Sequence, residues 1–165
     1  MRKIPTILVI AGMLTLALTM PALAARPTTV TGAAESDSVF MGHRTTAISA
    51  RALPPGGAAG FVRVDRSDGV IIVQVRDLSV EDEYAYLMGR VVCDTIAPEA
   101  VGSWAYLAVY DGSAVGDVEL VSHLWIADTY PGYEEILALF DGHYLFPEYP
   151  WFFMAVTSGN YRLLP

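Results

Sequence analysis

The residues best suited to chemistry in this chain are aromatic, and they crowd into two short stretches. Tyr130-Pro131-Gly132-Tyr133 and His143-Tyr144-Leu145-Phe146-Pro147-Glu148-Tyr149-Pro150-Trp151 both mix rings with turn-forming residues. Flat rings stack on the apolar C–H faces of sugars, while a carboxylate such as that of Glu148 accepts hydroxyl hydrogen bonds. The same residue types anchor protein interfaces. Tyr130, Tyr133, Tyr144, Glu148, Tyr149 and Trp151 are therefore the candidate ligand-binding residues, for a protein or a carbohydrate. Trp104, Tyr106 and Tyr110 on one strand face, and Trp125 on another, extend the set. Their alternative role is to fill the core of a small domain.

Other chemistry is thinner. Asp65-Arg66-Ser67-Asp68-Gly69 offers oxygens at alternating positions, as a calcium loop does, but a strand begins at once and the later bidentate glutamate is missing. A hairpin turn is expected there. Cys93 is the single cysteine, so no internal disulfide forms, and its apolar neighbours suggest an inert thiol. His43, His123 and His143 lack zinc-ligand spacing, and no nucleophile elbow or phosphate-binding loop occurs. No cofactor or metal is expected. Catalysis would need paired carboxylates across a cleft, with Glu134, Glu135 and Glu148 as stand-ins.

The expected organisation starts with an address. Arg2 and Lys3 precede the apolar run Ile7 to Leu18, and Pro21 leads into Ala22-Leu23-Ala24, the order of a secretory signal peptide cleaved after Ala24. The alternative is a retained N-terminal membrane anchor. The whole chain has 10 basic and 18 acidic residues. Loss of Arg2 and Lys3 leaves 8 against 18, a net charge of −10, which disfavours nucleic acid and anionic lipid as partners. Residues 25–60, rich in Ala, Thr, Ser, Gly and Pro, read as a flexible linker with one possible short strand. Residues 61–165 read as one β-rich globular domain.

Alternation carries that expectation. Ile71, Val73 and Val75 oppose Gln74 and Arg76, and Ser67-Asp68-Gly69 marks a hairpin. Leu87, Val91 and Cys93 oppose Tyr84, Tyr86, Met88 and Arg90, while Ala105, Leu107 and Val109 oppose the aromatic face of Trp104 to Tyr110. Val118 to Ala127 and Trp151 to Thr157 read as further strands, the latter central and buried on both faces. Ser79 to Asp82 is a passable helix start, and residues 131–140 favour a short helix. The expected fold is mostly β, a single antiparallel β-sandwich of immunoglobulin-like or jelly-roll-like form, with α+β as the alternative.

The segment Phe152 to Leu163, with Ser158-Gly159-Asn160 at its centre, resembles the closing hairpin of bacterial prepeptidase C-terminal domains. The resemblance covers about a dozen residues and implies a β-sandwich ending. From these features the expected role is a secreted or surface-associated, non-catalytic binding module. A small secreted hydrolase and a structural part of a surface layer or filament are the alternatives.

Overall fold

The computed structural model describes residues 28–38, 41–127 and 153–164. Within them strands follow one another with little else: β1 (Thr29–Ser38), β2 (Gly42–Ala52), β3 (Ala58–Arg66), β4 (Gly69–Glu81), β5 (Tyr84–Asp94), β6 (Trp104–Tyr110), β7 (Leu120–Ser122), β8 (Trp125–Ala127) and β9 (Phe153–Leu164). Each strand from β1 to β7 pairs antiparallel with the next, β7 pairs with β9, and β9 returns to β1. The ring is closed. It is an eight-stranded antiparallel barrel, with β8 continuing the β7 position along β6.

The expected sandwich is therefore overturned. Alternation reports which face of a strand is wet, and a sandwich and a barrel satisfy it equally. The pairings of β1 with β9 and β5 with β6 distinguish the two, and the first joins ends of the chain more than a hundred residues apart. The hairpin implied by the prepeptidase resemblance is likewise absent. Phe153–Leu164 is one strand, and Ser158-Gly159-Asn160 pairs with Glu35-Ala34-Ala33 without reversing the chain.

The stretch expected to be a linker, 25–60, contains β1, β2 and the start of β3. Its composition misled because the inside of a narrow barrel needs small side chains next to large ones. On β1 the inward series is Val30, Ala34, Ser36 and Ser38, all buried. On β9 the buried Tyr161 pairs with Gly32 of β1. A methyl group at Gly32, whose φ is +148°, would sit 2.2 Å from the carbonyl oxygen of Asn160, so the closing pair needs glycine there. Small residues here are a packing requirement.

Other expectations resolve locally. Ser67-Asp68 is the loop of the β3–β4 hairpin as expected, and Asp65 and Asp68 are tied to Arg63 and Arg66, at 2.7 and 2.6 Å. The helix start at Ser79 is corrected: β4 runs to Glu81 and turns through Asp82, at φ +51°, into β5. A bulge opposite the step from Ile72 to Val73 leaves Val92 as an extra residue, 44% exposed, so Cys93 turns off the inner face and is half-buried. The helix expected near 131–140 lies outside the described residues.

The inward faces of β2 to β6 supply the main core, including Ile48, Val62, Val73, Leu87 and Leu107. Outward positions carry Glu35, Asp37, Arg51, Arg63 and Arg76 in exposed places. That polarity is the reverse of a barrel whose outer band faces lipid. No helix among the described residues is long and apolar enough to cross a membrane.

Candidate functional site

One wall of the barrel is buried on both sides. Tyr84, Tyr86, Met88 and Arg90 of β5 face outward across from Tyr110, Ala108, Tyr106 and Trp104 of β6. Tyr86, Met88, Tyr106 and Phe153 form a second apolar cluster on that face. The rings of Tyr84 and Tyr110 lie 4.8 Å apart, and the Arg90 guanidinium sits 3.8 Å from the Trp104 ring centre, in cation–π range. Burial pushes the Tyr84 and Tyr110 hydroxyls above the ordinary range. Tyr106 and Tyr110 thus serve packing. Trp125, directly across from Tyr106 on β8, is 43% exposed. The other aromatic candidates, Tyr130, Tyr133, Tyr144, Glu148, Tyr149 and Trp151, lie outside the described residues.

A second region was not anticipated from sequence. Arg44, on β2, alternates inward with Thr46, Ile48 and Ala50, and is 1% exposed. Its Nε donates to Ser36 Oγ at 3.4 Å, and its Nη2 donates to the main-chain oxygen of Ser122. Two of the five guanidinium N–H groups are used in this way, and the other three have no acceptor among the described residues. No carboxylate among those residues pairs with it. Burial lowers its pKa to about 10, so the group stays cationic at neutral pH.

The Ser122 carbonyl is free to accept because the strand breaks there. Ser122 Oγ takes the Ala108 N–H at 2.8 Å and donates to the His123 oxygen at 2.9 Å, bridging the gap between β7 and β8. The expectation of one continuous strand from Val118 to Ala127 is corrected at that gap. Deeper inside, the Tyr161 hydroxyl donates to the Thr46 carbonyl at 3.2 Å. Burial raises its pKa, opposed by the nearby Arg44 charge.

Arg44 opens onto a pocket of about 240 Å³ at the barrel mouth. Arg66 of β3 stands directly opposite Arg44 in the strand register, also at the pocket. Ile71, Ile96, Leu124 and Ile126 give it apolar walls. Asp94, three strands round the rim from Arg44, is buried, and its Oδ1 accepts from the Ile96 and Ala97 N–H groups at 2.8 Å each. That turn folds the segment after β5 against the mouth. The signal available in the sequence was a basic residue at an inward position, which alternation alone does not distinguish from a register slip.

No cluster of histidine, cysteine or acidic residues suited to a metal occurs among the described residues. No protein-family model, curated protein or solved structure matches this chain.

Proposed function

We propose that this protein is an exported, non-catalytic binding module that holds a small ligand in its barrel mouth. The observation that carries the reading is the pocket beside Arg44: apolar side walls converging on a buried cation whose donors are not all used among the described residues. Ligand sites have this make-up, mostly apolar lining with a few fixed polar groups, and the mouths of β-barrels are a common place for them. Small side chains on β1 leave the interior room for Arg44 and Tyr161.

Methyl-resolved NMR with a panel of eight-carbon amphiphiles (octanoate, 1-octanol and octylammonium) tests the reading. At least one should shift the methyl signals of Ile71, Ile96, Leu124 and Ile126 and leave those of Val62 and Val73 unchanged. If none does, the pocket is not a ligand site. Export rests on the order of residues 1–24, and a mature N-terminus at Ala25 is the outcome that supports it.

A second reading keeps the aromatic residues as a recognition surface for a protein or glycan outside the cytoplasm. The exposure of Trp125 beside the Arg90–Trp104 pair favours it. Trp125→Ala, Tyr133→Ala and Trp151→Ala variants that fold but lose partner capture would support this reading. Variants that merely unfold would assign those rings to packing.

A further inference from the structure

We infer that the ligand of the barrel mouth is a small monocarboxylic acid with an apolar tail, its head group seated between Arg44 and Arg66. This inference rests on the mouth being a ligand site, and adds the chemical class. Arg44 and Arg66 are directly opposed on neighbouring strands, both at the pocket. Like charges in that relation repel, because opposed side chains start about 5 Å apart at Cβ. The Arg66 charge adds to the burial that lowers the pKa of Arg44.

The chain leaves this repulsion only partly answered. Asp68 takes one nitrogen of Arg66, at 2.6 Å, and the Met41 sulfur another, at 3.5 Å, while Arg66 Nε is buried without an acceptor among the described residues. Among the described residues Arg44 has only a hydroxyl and a carbonyl as partners, and both are neutral. An anion between the two would accept from both guanidiniums and remove their repulsion. A carboxylate has the planar, two-oxygen geometry that a guanidinium fork fits.

The walls define the rest of the molecule. Ile71, Ile96 and Leu124 present no polar side-chain atom, so the part of the ligand beyond the head group is hydrocarbon. At about 240 Å³ the pocket is below the ~300 Å³ at which drug-sized sites begin, which keeps the tail to a single chain of modest length. Asp94 lies round the rim with one oxygen held by two backbone N–H groups, so it does not occupy the seat between the arginines.

Calorimetric titration of the native protein with octanoate, 1-octanol and octylammonium separates the possibilities. Octanoate should bind at least about tenfold more tightly than 1-octanol, the ratio for losing charge-assisted hydrogen bonds. Arg66→Gln, which keeps a donor amide and removes the charge, should weaken octanoate by about tenfold and leave 1-octanol unaffected. If 1-octanol binds as well as octanoate, the mouth is a ligand site but the acid class is wrong. Preference for octylammonium would make Asp94 the anchor and overturn the assignment. Octanoate binding that survives Arg66→Gln unchanged also overturns it, and the absence of binding by all three removes both the class and the site.

Discussion

The guanidinium of Arg44 on β2 donates to the main-chain carbonyl of Ser122 at the break between β7 and β8, 78 residues further along the chain. Around the ring those strands are separated by β1 and β9, so the contact is a chord through the barrel interior. It ties a buried cation to a local defect in the sheet. A continuous strand would turn its carbonyl to a neighbour; the interruption at His123-Leu124 releases one to the arginine.

Arg44→Ala should cost about 3 kcal/mol of unfolding free energy, combining a cavity with a carbonyl left without its donor. Arg44→Met keeps most of the stem volume and removes a buried charge, so its cost should be about 1 kcal/mol or less. Denaturant unfolding of both variants checks the pair. Equal, large losses would mean that the charge itself holds the barrel together.

Gly32→Ala should be among the most damaging single changes, by about 3 kcal/mol or more. The new methyl would meet the Asn160 oxygen at 2.2 Å and the Tyr161 Cα at 2.8 Å, within the β1–β9 pair that closes the ring. Gly42, also at positive φ, has open space around its Cβ direction, so Gly42→Ala should cost only about 1 kcal/mol. Similar losses at the two positions would show that closure does not depend on the tight contact.

Burial raises the pKa of Glu119 above its ordinary 4.5, against a hydrogen bond its Oε2 accepts from the Tyr161 N–H at 3.1 Å. A carboxyl whose folded pKa is raised is penalised once ionised. Stability from this group is fully present below pH 4.5 and falls as pH rises through the folded value. Glu119→Gln, which keeps an acceptor without the charge, should therefore stabilise the protein at pH 7 by about 0.5 kcal/mol, allowing for partial exposure. At pH 4 the gain should vanish. Thermal unfolding at both values measures it, and a gain that persists at pH 4 would assign the effect to packing instead.

Tyr84 and Tyr161 are held protonated by burial, with pKa values raised from the ordinary 10.0. Unfolded tyrosines ionise near pH 10 while these two resist, so their contribution to stability is lost as pH climbs above 10. Arg44, whose pKa burial lowers to about 10, works in the opposite direction above that value, and one group does not cancel two. Spectroscopic titration should show part of the tyrosine absorbance change arriving late and together with unfolding. Tyr161→Phe should reduce that late amplitude and lose about 1 kcal/mol at pH 7, for the hydrogen bond to the Thr46 carbonyl.

The local content of the fold is legible residue by residue. The alternation of Ile71, Val73 and Val75, the turn at Ser67-Asp68, and the opposition of Ala105, Leu107 and Val109 to Trp104, Tyr106 and Tyr110 all reappear in the strands. These are period-two patterns and turn propensities, which depend on neighbours in the chain. The bulges that carry Val92 and Cys93 off their expected faces are not legible, because a single extra residue is decided by the partner strand.

What the sequence by itself determined is the β-rich character, the acidic balance and the lack of a disulfide framework. Barrel closure, the recruitment of Thr29–Ser38 and Gly42–Ala52 into the sheet, and the placing of Arg44 opposite Arg66 at one mouth came only from tertiary structure. The reason is physical: closure and the mouth depend on pairings between distant segments, and Ala, Ser and Gly in β1 look like a linker until Tyr161 and Arg44 are seen to need the space they leave.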